Sequence, residues 1–147
     1  MNKKAFFRVL SFSAVLLGMG ILLLAVKITR PTQVSPDGLE VSRFGLGADD
    51  FTLKSRYTVV FKLKNVTDHP ITFHPQYGVF VGARCDGGNI DFGHRGKGLT
   101  LQPGQSVNMK APNRFDRPGE YSFWPAYHAN GHWGPYGWNK ITVTIPD

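Results

Sequence analysis

The stretch that most constrains the fold runs from Gly119 to Ile145, GEYSFWPAYHANGHWGPYGWNKITVTI, and holds all three tryptophans of the chain. Its aromatic first half and β-branched second half favour pleated strands, and Asn130-Gly131, Gly134-Pro135 and Gly137 supply turn chemistry between them. The stretch is therefore predicted to form a β-hairpin. Successive side chains in a strand point to opposite faces. Tyr121, Phe123 and Tyr127 then share a core face with Ile141, Val143 and Ile145. Trp124, Ala126 and His128 share the other face with Tyr136, Trp138, Lys140 and Thr142. In the two registers considered, Trp124 pairs with Lys140 or Thr142, and Trp138 with Ala126 or His128. The two indoles are thus expected on one outward face, as a shallow platform.

The rest of the chain supports short strands throughout. Seventeen glycines and ten prolines among 147 residues leave little room for long helices. Leu39–Gly45 is a candidate first strand. Arg56–Val66 alternates most clearly, with Tyr57, Val59, Phe61 and Leu63 on one face. Ile71–Arg84 places Ile71, Phe73, Tyr77, Val79 and Val81 at one parity, with Pro75 at an edge or bulge. Ile90–Phe92, Leu99–Leu101 and Gln105–Ala111 follow, separated by Asp86–Asn89, Gly93–Gly98 and Pro103-Gly104. Seven or eight such strands without a helix predict an all-β antiparallel sandwich.

The N-terminus differs in kind. Residues 9–26 form an uncharged run of 18 residues between Arg8 and Lys27, near the minimum for crossing a hydrocarbon core of about 30 Å. A cleaved secretory signal is the alternative, but no small-x-small cleavage site follows the run. An uncleaved signal anchor is the better reading. Three basic residues precede the span and two follow it, which favours an N-terminus in the cytoplasm and a domain outside. The expected organisation is a cytoplasmic tail (1–8), one transmembrane helix (9–28), a linker (29–38) and the sandwich domain (39–147).

The string LTLQPGQSVNMKAPNRFDRPGEYSFWPAY resembles the second half of immunoglobulin-like and fibronectin-III-like domains of bacterial surface proteins. Leu101, Pro103, Gly104 and Ser106 match the strand and Pro-Gly turn of that pattern, and Pro118, Gly119 and Tyr121 match the next strand's opening. The resemblance covers roughly residues 39–146 and implies an immunoglobulin-like sandwich. It further implies that Tyr121 makes the tyrosine corner of such folds. The pattern says almost nothing about activity. Two departures stand out: there is no cysteine pair, and Pro125 falls inside a central strand, where it implies a bulge that could turn Tyr127 and His128 off their assigned faces.

Charge and motifs narrow the function classes. The net charge is +7, but residues 1–30 hold five basic residues and no acid, leaving 12 basic against 10 acidic residues in the remainder. The domain itself lacks a nucleic-acid footprint, so no nucleic-acid partner is expected. There is no G-x-S-x-G, no H-E-x-x-H and no phosphate loop in a strand–loop–helix context, so no catalytic residue or cofactor is assigned. The single Cys85 excludes an intrachain disulfide and is expected in the core. Cys85, His94 and Met109 lie on separate segments, unlike a blue-copper site, and no metal ligands are assigned. Asp86, Asn89 and Asp91, or Asp49-Asp50, could coordinate calcium, although Asp and Asn commonly serve turns. Asn65-Val66-Thr67 matches a glycosylation sequon.

The constellation that remains is aromatic: Trp124, His128, Trp133, Tyr136 and Trp138, the candidate ligand-binding residues. Flat rings stack on the C–H faces of sugars and anchor protein interfaces. The expected function is a membrane-anchored, extracytoplasmic binding module at the cell envelope that recognises a protein or a glycan and is not an enzyme. The alternatives are a structural spacer or membrane-complex subunit without a ligand site, in which these rings merely cover the sandwich, and a metal-binding periplasmic domain.

Overall fold

The computed structural model describes residues 26–147. The strands are β1 (Val26–Thr29), β2 (Gln33–Val34), β3 (Leu39–Ala48), β4 (Arg56–Asn65), β5 (Ile71–Thr72), β6 (Val79–Cys85), β7 (Gly88–Asn89), β8 (Thr100–Leu101), β9 (Ser106–Arg114), β10 (Gly119–Ala129), β11 (His132–Trp133) and β12 (Ile141–Ile145). All pairings are antiparallel. One five-stranded sheet runs β1-β3-β4-β9 with β2 also on β3; the other runs β11-β10-β6-β7 with β12 also on β10; β5 and β8 form a small third sheet. The two large sheets share one apolar core, in a sandwich-like arrangement.

The core follows from alternation. In β4, Tyr57, Val59, Phe61 and Leu63 are buried while Thr58, Val60, Lys62 and Lys64 are half-buried. They meet Phe123, Tyr127, Val81 and Ile141 of the other sheet, among others, in one cluster. Burying each such side chain stabilises by about 1.5–3 kcal/mol. The Tyr121 hydroxyl donates to the Arg117 carbonyl at 2.8 Å, the bond of a tyrosine corner. Cys85 is buried.

Several expectations change. The tail (1–8) and nearly all of the apolar span lie outside the described residues. The span's last residues, Val26–Ile28, belong instead to β1, which pairs with Gly45–Ala48. Gln33–Val34, expected in the linker, pairs with Glu40–Val41. Among the described residues, sheet structure therefore begins at Val26, not at Leu39. Among the described residues, no helix is long and apolar enough to cross a membrane.

The predicted strand Ile71–Arg84 is two strands. Between them His74–Gly78 forms a turn, closed by Gly78 N–H donating to the His74 carbonyl at 3.1 Å. Gly78 has φ +57°, and a Cβ there would strike the Arg95 carbonyl oxygen, so a side chain cannot take this path. Tyr77 consequently leaves the core face assigned to it and is exposed. Ile90–Phe92 is not a strand; the pairing beside β6 falls on Gly88–Asn89.

Pro125 introduces no bulge. β10 pairs with β6 without a register break from Tyr121↔Cys85 to Tyr127↔Val79. The bonds from Asp86 N–H to the Glu120 carbonyl and from His128 N–H to the Gly78 carbonyl place even-numbered residues of β10 toward β6. Odd-numbered residues, including Pro125, face the opposite edge. There β12 covers Gly119–Phe123 and β11 covers His128–Ala129, and Pro125 falls in the interval between them. Its missing N–H has no ladder bond to lose.

The sequon is closed as well. The Asn65 Nδ2 donates to the carbonyls of His69 (2.7 Å) and Leu101 (2.9 Å), and its Oδ1 accepts from Thr67 N–H and Oγ1. The side chain is fully buried. An amide committed in this way pins the loop and is closed to attack.

Candidate functional site

The outward face of β6 and β10 carries the aromatic constellation. Register places Arg84 opposite Ser122, Gly82 opposite Trp124 and Phe80 opposite Ala126. A Cβ on Gly82 would overlap the Trp124 indole, so the glycine is what lets the ring lie across the neighbouring strand. Trp124 is only 8% exposed, and Tyr136 packs on it with ring centroids 4.7 Å apart. Arg84 lies over the other ring of this pair, its Cζ 5.1 Å from the Tyr136 centroid, a cation–π arrangement.

A second group of rings surrounds His128. The tight Asn130-Gly131 turn, with both residues at positive φ, folds β11 back on β10 so that Trp133 pairs with His128. Their rings meet edge to face at 4.5 Å. The His74–Gly78 turn adds His74, 4.7 Å from both His128 and Tyr77, and Tyr77 packs 4.8 Å from Trp133. Phe80 links this group to His94 (4.8 Å) and to Trp133 (6.2 Å).

Hydrogen bonds assign two histidine tautomers. Gln76 N–H donates to the His74 Nδ1 at 3.1 Å, so neutral His74 carries its proton on Nε2. The Tyr77 carbonyl can only accept, so the His94 Nδ1 donates to it. The His128 Nδ1 and the Arg84 Nε are buried without partners.

Between the ring groups lies a cleft of about 210 Å³. Phe80, Trp124 and Tyr136 supply its apolar walls, and Arg84, Asn89, Asp91 and His94 its polar ones. The most exposed rings on this surface are Tyr136 (68%), Trp133 (56%) and Tyr77 (37%).

Of the expected site residues, the fold pairs Trp124 with Tyr136 and His128 with Trp133. It separates Trp138 from Trp124. The β10–β12 ladder takes the first of the two expected registers, the one that would pair Trp124 with Lys140, but it ends at Phe123↔Ile141, so neither tryptophan is paired in it. Gly137 and Asn139, both at positive φ, redirect the chain. Trp138 packs against the core, and its Nε1 donates to the Pro125 carbonyl at 2.6 Å. The platform expectation is corrected in a second respect: Trp124 is covered, not open. His74, Tyr77, Phe80, Arg84 and His94 were not expected at the site. Pro75 and Gly78 flanking Tyr77 are the signal for the turn that brings two of them there.

Asp86, φ +48°, spends its Oδ1 on Glu120 N–H at 2.9 Å, a turn role in place of a calcium role. Among the described residues, no group of three or more His, Cys, Asp or Glu is arranged to hold a metal. Compared with protein-family models, curated proteins and solved structures, the chain matches none.

Proposed function

We propose that the chain is a membrane-anchored, extracytoplasmic immunoglobulin-like module that binds a saccharide of the cell envelope at the cleft between Phe80, Trp124 and Tyr136. The immunoglobulin-like assignment rests on the facing antiparallel sheets and the Tyr121 corner. The anchor rests on the part of the apolar run that precedes β1, residues 9–25.

One observation carries the saccharide reading: exposed rings and hydroxyl-binding groups of both polarities line one open surface. Tyr136 and Trp133 offer ring faces for C–H stacking. Arg84 donates, Asp91 and the Nε2 of neutral His94 accept, and Asn89 can do either. Such a mixture suits hydroxyl groups, which are donors and acceptors at once. The reading assigns no catalytic residue, cofactor or nucleic-acid partner.

The test uses the full-length chain in detergent micelles against an array of envelope-polysaccharide fragments, followed by calorimetry on the best binder. Tyr136→Ala and Trp133→Ala should each lower affinity by tenfold or more and leave the melting temperature within a few degrees. Capture of an envelope protein through the same residues, with no saccharide binding, would move the reading to a protein interface. Function that survives both substitutions but fails when the apolar segment is exchanged would favour a spacer.

A further inference from the structure

A second cavity, of about 230 Å³, opens where β4 and β9 of one sheet meet the Asn89-Ile90 segment beside β6 of the other. It shares only Asn89 and Ile90 with the aromatic cleft. Its lining includes Tyr57, Asn113, Arg114, Asp116 and Arg117.

Two features make it a site in its own right. Tyr57 is 2% exposed, and its hydroxyl is buried with no hydrogen-bond partner. The ring itself is fully packed, stacked on Phe115 at 4.4 Å and tilted against Phe123 at 5.2 Å. The hydroxyl is the side chain's single polar atom, and Tyr121 and Asp116 line the same cavity. Buried polar atoms without partners are rare because each forfeits a hydrogen bond it made in water.

The second feature is unspent positive charge. Among the described residues, neither Arg114 nor Arg117 is in an ion pair. Arg117 is held at the wall by donating to the Cys85 carbonyl at 3.2 Å, and a Cβ on Gly88 would lie 2.9 Å from its guanidinium. The glycine thus admits the arginine against the backbone. Asp116 supplies one negative charge, so the lining is net positive.

We infer that this cavity binds a small oxyanion, a carboxylate or a phosphate group, between the guanidinium groups of Arg114 and Arg117, with the Tyr57 hydroxyl as the third donor. Planar guanidinium forks match such oxygens in pairs. Burial, with Tyr121 and Asp116 nearby, raises the Tyr57 phenol above the ordinary tyrosine value. Its hydroxyl therefore stays protonated, and a donor, at neutral pH.

The experiment is calorimetric titration of the full-length chain in detergent with inorganic phosphate and, separately, with acetate, against chloride at equal ionic strength. Saturable binding of one or both is expected, and the stronger of the two identifies the oxyanion. Arg114→Gln should weaken it about tenfold, the scale of one lost charged hydrogen bond. Tyr57→Phe keeps the packed ring and removes only the hydroxyl, so it should leave the melting temperature unchanged or higher while weakening binding severalfold. Heats that match chloride for both anions overturn the inference. So does a Tyr57→Phe variant that binds as the wild type does.

Discussion

The outer faces of β4 and β10 make different use of the same alternation. In β4, every second residue is buried and the remainder are half-buried or, at Arg56, exposed, mostly threonine and lysine. In β10, Trp124, Pro125, Ala126 and Tyr127 are buried in succession. One side of β10 is core and the other is roofed by Tyr136, which arrives on a loop, and by Trp133 of the short strand β11. A sheet face that meets water constrains its sequence only to be polar. A face that meets its own loops constrains the sequence residue by residue, down to the glycine beneath an indole.

The largest effect that could break this comparison lies in β4. Phe61→Asp places an unpaired charge in the core at a cost of several kcal/mol, against a total stability of roughly 5–15 kcal/mol. It should abolish the cooperative thermal transition, whereas Lys62→Asp shifts it by only a few degrees. Equal losses would mean that the outer face of β4 is covered too.

Next is the contrast within the second sheet. Phe123→Ala should cost about 3–5 kcal/mol in chemical denaturation, and Tyr136→Ala about 0.5 kcal/mol or less. Trp124→Ala should fall between them, because its ring is covered by one exposed residue and not by the core. A Trp124→Ala loss as small as that of Tyr136→Ala would remove the distinction between roofed and open faces.

The finest probe compares two strand glycines. Gly82→Ala drives a methyl into the Trp124 ring and should cost about 1–3 kcal/mol, with a shift in tryptophan fluorescence. Gly47→Ala in β3 meets nothing within 4 Å, and should be neutral or stabilising by up to about 1 kcal/mol. Matching losses at both positions would show that strand glycines matter here for backbone reasons alone.

The same contrast explains what was legible in the sequence. Core positions in β4, β9, β10 and β12 follow from alternation, because one face of each looks inward. The all-β sandwich-like architecture follows from the number of short, turn-bounded strands. The site was legible only in part. Ring contacts join Trp124 to Tyr136 and His128 to Trp133, but parity cannot carry through Gly137 and Asn139, whose positive φ values break the alternation and send Trp138 inward. Nor can parity cross a turn such as His74–Gly78, which delivers Tyr77 and His74 from outside the hairpin. The cavity beneath Arg114 and Arg117 is assembled from segments far apart in sequence, and no local pattern marks it.

Pro125 has a consequence for which structures the chain can avoid. A residue with an N–H at this position would present a free donor on the edge of β10 between the stretches used by β12 and β11. The chain from Pro135 to Lys140 could then zip onto it, extending the Phe123↔Ile141 ladder into a single long hairpin. That rival would bring Trp138 onto the outer face opposite Ala126 and undo the pairing of Trp133 with His128. Proline closes the route by withholding one hydrogen atom, and the indole N–H of Trp138 occupies the carbonyl that would have been the other half of the invitation. The aromatic surface persists because the longer hairpin has nothing to hold on to.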